Sequence, residues 1–131
     1  MMIGLDTNIL VRAFLEDDEA QAKASQELMK TASNKHKLFI SSYALLEFVW
    51  VLKVKKFTRK EIYQAIILLI DSPGVTVGNR NIVLEAAQKY LKGIGDFGDY
   101  MIIAEGEENG VHHLKTFDQD IIQESPNITA P

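Results

Sequence analysis

The chain has 131 residues, of which 47% are hydrophobic and 24% charged, and these values are typical of one globular domain spanning residues 1–131. It contains no cysteine, which excludes disulfide frameworks and thiolate metal sites and fits a reducing compartment such as the cytoplasm. The formal net charge of −4 argues against a general polyanion binder, unless the excess carboxylates surround a divalent cation.

Short strands alternate with helices in the first half of the chain. The segment MIGL predicts a first strand, and a short helix follows from Asn8 to about Leu15. The start of the chain has no features of a signal peptide. The next elements are a polar helix in EDDEAQAKASQELMKTAS, a strand in KLFI, an apolar helix in SSYALLEFVWVLKVKK and a helix in TRKEIYQAIILLID. The last helix opens with Thr58 and Glu61, which have the spacing of a capping box. Its apolar run AIILLI is too short to cross a bilayer, so no membrane association is expected.

The second half continues the alternation. SPG predicts a turn, VTVG a short strand and NIVLEAAQKYLK a helix, and the next helix in GIGDFGDYMIIAEGEENG ends at Asn109 and Gly110. VHHLKT predicts a further strand, and FDQDIIQESPNITAP a turn with a last short strand. The pattern favours an α/β fold, a three-layer α/β/α sandwich with a central, mostly parallel sheet of four to five strands.

Two aspartates directly follow predicted strands. Asp6 comes after MIGL, where open α/β sheets place their ligands, although Asp is also a good helix N-cap. Asp118 follows VHHLKT in the same way, with an Asx turn as the alternative interpretation. Both positions are therefore candidate ligands whose structural alternative is a local cap or turn.

Glu47 lies in the most apolar helix of the chain. Its neighbours three and four positions away are all apolar or aromatic: Tyr43, Ala44, Trp50 and Val51. A helix that is apolar nearly all round is predicted to be buried, and a buried lone carboxylate is costly unless it is paired, protonated or bound to metal. The alternative is a tertiary partner such as an arginine or a buried N–H group.

Asp96 and Asp99 are three residues apart and share one face of the predicted helix. Asp96 is the better N-cap candidate, and Asp99 in the first turn would also be favoured by the helix dipole. Capping and metal binding use the same helix end, so we leave open whether Asp96 is a ligand or a cap. Asp99 leads into the apolar run MII and is the preferred ligand.

Together these acids predict a metal site. Residues that follow strands or begin crossover helices gather at one edge of a doubly wound sheet, so we expect Asp6, Glu47, Asp99 and Asp118 to lie close together. Two carboxylates about 4 Å apart repel by roughly 4 kcal/mol at an effective dielectric constant near 20, which favours a cation between them. Oxygen ligands without cysteine suit Mg²⁺ or Mn²⁺, and such ions assist phosphodiester hydrolysis.

Four segments, LDTNIL, SSYALLEFVWVL, DFGDYMIIA and TFDQDI, occur in an order that resembles the PIN domain family, and within it the VapC-type toxin ribonucleases. The resemblance implies cleavage of single-stranded RNA with Mg²⁺ or Mn²⁺ by an acidic cluster of Asp6, Glu47, Asp99 and Asp118. It further implies that Asn8 and Thr116 support this cluster. Its partners would be single-stranded or structured RNA, a second copy in a homodimer, and a small antitoxin whose C-terminal segment enters the active-site groove.

Other interpretations of the same residues remain open. The first is an RNA-processing PIN nuclease outside a toxin–antitoxin pair. The second is a receiver-like Mg²⁺-binding signalling module, which would share the size and the acidic edge, and the third is a non-catalytic binding module that keeps the fold. The stretch KVKKFTRK is either a patch that contacts phosphates or a solvated helix end. No stacking platform for unpaired bases is evident from the sequence.

Overall fold

The computed structural model describes residues 1–31 and 37–131, which contain five strands and seven helices. The contacts within the chain divide it into two compact units, Met1–Arg80 and Asn81–Pro131. We refer to them as the N-terminal unit and the C-terminal unit. The predicted helix in EDDEAQAKASQELMKTAS extends at its end into residues 32–33, which lie outside the described residues.

The N-terminal unit contains a parallel sheet with strands in the order β1, β2, β3. Its elements are β1 Met2–Gly4, α1 Thr7–Leu15, α2 Glu19–Lys30, β2 Lys37–Ile40, α3 Ser42–Val54, α4 Arg59–Asp71 and β3 Val75–Val77. In the register of the sheet, Leu38 of β2 pairs with Ile3 on one side and Val75 on the other. Parallel neighbours require long crossover connections, which explains why helices separate the strands along the chain.

The core of this unit forms around the central strand. Leu38 and Ile40 of β2 are fully buried. The fully buried side chains of α3 and α4 are Leu45, Phe48, Leu52, Ile62 and Ile66. The Phe14 ring of α1 meets Phe48 edge to face with centroids 5.6 Å apart, an arrangement that aromatic pairs prefer. This apolar contact holds α1 against α3.

The C-terminal unit contains a second, two-stranded parallel sheet. Its elements are α5 Arg80–Lys92, which starts at the last residue of the N-terminal unit, α6 Phe97–Glu108, β4 Leu114–Lys115, α7 Gln119–Ile122 and β5 Ile128–Thr129. Leu114 pairs with Ile128, and the Tyr90 and Phe97 rings pack edge to face with centroids 6.2 Å apart. The buried hydroxyl of Tyr100 accepts a hydrogen bond from the Gly95 N–H at 3.0 Å and donates one to Glu124 at 2.6 Å.

Parallel strands linked by helices confirm the predicted α/β class, and the five described strands are divided three and two between the sheets. The prediction of a strand over the whole of VHHLKT is wrong, because only Leu114–Lys115 is a strand. The Val111 N–H instead donates to the Gly106 carbonyl at 2.9 Å, at the end of α6. The short helix α7 was not predicted. None of the described helices combines the length and apolar character needed to cross a membrane.

The predicted capping box of α4 is confirmed. The Thr58 N–H donates to Glu61 Oε1 at 2.9 Å, and the Glu61 N–H donates to Thr58 Oγ1 at 3.1 Å. The hydrogen bond from the Thr58 backbone, followed by that of the Thr58 side chain, lowers the pKa of Glu61 below its ordinary value of 4.5. A lowered pKa in the folded state means that the Glu61 carboxylate stabilises the fold above the ordinary pKa and loses this effect as the pH falls through the lowered one.

We expect Glu61→Ala to reduce the free energy of unfolding at pH 7 and to differ less and less from the parent protein as the pH falls below about 4.5. Urea unfolding between pH 3 and pH 7 measures this difference. Glu105→Ala, at an exposed position of α6, controls for the change in net charge. A difference that stays constant across this range would show that the capping box does not act through the ionised carboxylate.

Gly93 lies against the Tyr100 side chain. A Cβ at this position would overlap the Tyr100 hydroxyl and lie 2.7 Å from its Cζ, and the two hydrogen bonds of that hydroxyl hold the ring in place. We therefore expect Gly93→Ala to lower the free energy of unfolding by about 1–3 kcal/mol, as measured by chemical denaturation.

Gly106→Ala is the matched control for the Gly93 variant. Gly106 lies inside α6, and the nearest atom that an added Cβ would meet is the Val111 Cβ at 3.4 Å. Replacing a helix-internal glycine by alanine is expected to raise the free energy of unfolding by up to about 1 kcal/mol. Equal effects of the two substitutions would contradict the close packing of Gly93 against Tyr100.

Candidate functional site

Asp6 stands at the carboxyl end of β1, at the N-cap position of α1. Its backbone is extended, with φ −77° and ψ 158°, and its carbonyl accepts the first helical hydrogen bond from Ile9 at 3.0 Å. Its carboxylate, however, makes no capping hydrogen bond. The alternative in which this side chain serves as a plain N-cap is therefore wrong. The exposed carboxylate is left available for a ligand.

Glu47 is exposed, so the prediction that its helix is buried on all sides is wrong. Helix α3 buries the face that carries Leu45, Phe48 and Leu52, because this face packs in the core around β2. The face that carries Glu47 is open to solvent. The cost of a buried carboxylate thus gives no support to the proposed role of Glu47.

Among the described residues, the hydrogen-bond partner of Glu47 is a hydroxyl group. The sequence had suggested an arginine or a buried N–H group as the alternative to a metal ion. Thr7 Oγ1 donates a hydrogen bond to Glu47 Oε1 at 3.2 Å. Because Thr7 directly follows Asp6, this bond connects the start of α1 to the middle of α3. Asp6 and Glu47 are thereby joined within the N-terminal unit through a residue to which the sequence analysis assigned no role.

The edge of the sheet at the carboxyl ends of its strands brings these segments together. The Leu5 N–H donates to the Phe39 carbonyl at 2.9 Å, so the chain enters α1 beside the start of α3. After β3, Asn79 Nδ2 donates to Ser42 Oγ in the first turn of α3 at 3.3 Å. Asn8 is exposed in the first turn of α1. Polar side chains therefore follow each of the three strands at this edge.

Asp96 and Asp99 begin α6, as predicted. Asp96 is the N-cap residue, and its N–H donates to Asp99 Oδ2 at 3.0 Å in a capping-box arrangement. This hydrogen bond uses one oxygen of the half-buried Asp99 carboxylate. The capping role of Asp99 therefore remains compatible with a metal bond through its other oxygen.

Asp118 forms the turn that was the alternative to a ligand role. Its Oδ1 accepts hydrogen bonds from the N–H groups of Asp120 at 2.9 Å and Ile121 at 3.3 Å, which starts α7. Its own N–H donates to Thr116 Oγ1 at 3.1 Å, so Thr116 holds the exposed Asp118 within the C-terminal unit. One carboxylate oxygen of Asp118 is thus engaged in capping, as in Asp99.

The candidate acids supply the carboxylate oxygens that a hydrated divalent ion binds. Within residues 1–31 and 37–131, no group of three or more His, Asp or Glu side chains is arranged to hold a metal ion. Asp6 and Glu47 belong to the N-terminal unit, and Asp99 and Asp118 belong to the C-terminal unit, so the expected gathering of all four acids stays a prediction. Mg²⁺ is usually held by one or two carboxylates together with waters and substrate phosphates, and the oxygen donors of Asp6 and Glu47 fit that chemistry.

The sequence model of the PIN domain matches residues 3–124, a range that includes all four candidate acids. No curated protein matches the chain. The PIN domain fold is a three-layer α/β/α sandwich, in agreement with the predicted fold class. The chain therefore belongs to the PIN domain family, whose fold is of the nuclease type.

Proposed function

We propose that the protein is a metal-dependent endoribonuclease that hydrolyses phosphodiester bonds in single-stranded RNA. The observation that supports this proposal best is the Asp6 carboxylate, which lies uncapped at the carboxyl end of β1 and is connected to Glu47 through the Thr7 hydroxyl. Open α/β sheets bind their ligands at this edge. Membership of a nuclease-type family makes a phosphodiester the preferred substrate.

In this proposal Asp6, Glu47, Asp99 and Asp118 hold Mg²⁺ or Mn²⁺. A bound ion would supply Lewis-acid stabilisation of the phosphate and would lower the pKa of a water that it holds. The chain's own contribution is orientation: the Thr7 hydroxyl donates to Glu47 Oε1, which leaves Oε2 to hold the ion. Thr116 restrains the turn that carries Asp118.

The biological role that we propose is that of the toxin in a type II toxin–antitoxin system. The support is the resemblance of four ordered segments to VapC-type toxins. In this role the protein acts in the cytoplasm as a homodimer on single-stranded or structured RNA, and a small antitoxin protein silences it. The alternative is an RNA-processing PIN nuclease outside such a pair.

We expect the purified protein, freed of any co-purified partner, to cleave a labelled single-stranded RNA with Mg²⁺ or Mn²⁺ and not with EDTA. Asp6→Asn, Glu47→Gln, Asp99→Asn and Asp118→Asn should each slow cleavage by at least about 100-fold, because the metal supplies several kcal/mol of transition-state stabilisation. Gel analysis of initial rates measures the loss.

Asp120→Asn is the matched control for these variants, since Asp120 is an exposed acid two residues from Asp118 whose side chain has no proposed role. Its cleavage rate should equal that of the parent protein. Cleavage that survives Asp6→Asn and Asp99→Asn would identify a contaminating nuclease. The absence of both cleavage and calorimetric Mn²⁺ binding would reject the proposed function in favour of a non-catalytic binding module.

The toxin role predicts growth arrest. Induced expression of the parent protein in a bacterial host should stop growth within the first generations, whereas Asp6→Asn at equal abundance should not, because arrest requires RNA cleavage. Optical density and immunoblotting follow the two cultures. Unimpaired growth with a protein that cleaves RNA in vitro would favour the RNA-processing alternative.

A further inference from the structure

Helix α3 exposes a stripe of large apolar side chains around Glu47. Tyr43 is 80% exposed, Trp50 65% and Val54 54%. These residues lie four positions before, three after and seven after Glu47, so all of them share one face of the helix. We call Tyr43, Trp50 and Val54 the α3 stripe.

The core does not account for the α3 stripe. The opposite face of the helix, with Leu45, Phe48 and Leu52, is fully buried and already anchors α3 in the N-terminal unit. Large aromatic side chains that remain exposed in a row mark an interaction surface more often than a scattered single residue does. The α3 stripe is therefore a candidate contact surface for a partner.

Charge at the end of the same helix indicates the chemistry of that partner. Four exposed lysines lie at the end of α3, in its connection to α4 and in the first turn of α4: Lys53, Lys55, Lys56 and Lys60. They form a local basic patch in a chain whose net charge is −4. A partner with flat apolar groups and regularly spaced negative charges complements both features, and single-stranded RNA has bases and phosphates in this arrangement.

The position of Glu47 in the helix, between Tyr43 and Trp50, also favours RNA as the partner. Tyr43 and Trp50 are separated by seven residues, or about 10 Å along the helix axis. Glu47 lies between these two positions along the helix, and its carboxylate accepts a hydrogen bond from the Thr7 hydroxyl. A strand whose bases contact the two rings would carry a phosphate past Glu47. This places the aromatic groups where they would set the position of the bond to be cleaved.

We propose that Tyr43 and Trp50 form a stacking platform for unpaired RNA bases on either side of the phosphate that Glu47 faces, an inference that rests on the proposed ribonuclease function. Aromatic side chains bind successive bases with little sequence preference because every base has a π-face. The lysines at the end of α3 bind the continuing backbone. In the C-terminal unit, Phe117 is 81% exposed and directly precedes Asp118, so a second candidate acid also has an exposed aromatic neighbour.

The chain has one tryptophan, so fluorescence excited at the red edge of the absorption band, where tyrosine does not absorb, reports on Trp50 alone. A single-stranded oligoribonucleotide should quench this fluorescence in EDTA, where no cleavage occurs. Inorganic polyphosphate of matched charge should bind the basic patch with no such quenching, because it has phosphates and no bases. Equal quenching by both probes would overturn the stacking platform.

Affinity for labelled RNA, measured by fluorescence anisotropy, separates the two rings from the rest of the surface. Tyr43→Ala and Trp50→Ala should each weaken RNA binding by about 5- to 100-fold. Trp50→Phe should keep most of the affinity of the parent protein, because phenylalanine retains an aromatic face. Leu68→Ala is the control, because Leu68 is a 63% exposed apolar residue on α4 of the same unit and should leave the affinity unchanged.

The remaining outcomes distinguish this inference from the proposed function. Unchanged RNA affinity in Trp50→Ala together with a lower oligomeric state would show that the α3 stripe is a contact between copies of the chain, and would overturn the platform. Cleavage without base-dependent quenching rejects the platform and leaves the nuclease. Base-dependent quenching without metal-dependent cleavage supports the platform and rejects the nuclease.

Discussion

The pairing of β2 with a parallel strand on each side is the constraint on which the N-terminal unit depends. Leu38 and Ile40 are fully buried in this central strand, and parallel neighbours are reached only by crossover connections. The carboxyl ends of all three strands therefore lie at one edge, and each is followed by a helix start. Asp6, Ser42 and Asn79 follow the three strands at this edge, and Asn79 donates a hydrogen bond to Ser42.

Both faces of helix α3 carry apolar side chains, but only one of them is buried. One face supplies Leu45, Phe48 and Leu52 to the core, which fixes the helix firmly. The other presents Glu47 with an aromatic residue on each side. In the proposed site, a carboxylate on this helix that accepts a hydrogen bond from the Thr7 hydroxyl would lose little orientational freedom when a substrate binds.

Helix starts account for most of the acidic positions, and they differ in how much of each carboxylate they use. Asp99 and Asp118 each engage one oxygen with backbone N–H groups, whereas the Asp6 side chain engages none. Negative charge is favoured near these helix ends by the backbone dipole. Local stability and a ligand role are therefore compatible at all three positions, and capping alone does not explain Asp6.

Local features of this protein were readable from the sequence because they depend on residues a few positions apart. The capping box of Thr58 and Glu61, the N-cap Asp96 and the end of α6 near Gly110 are of this kind, and so is the alternation of strands and helices. The PIN family was recognisable because its acidic segments occur in order along the chain. The exposure of Glu47 and of Trp50 was decided only by the tertiary structure. An all-round apolar helix does not indicate which face it buries, and the choice depends on packing around β2.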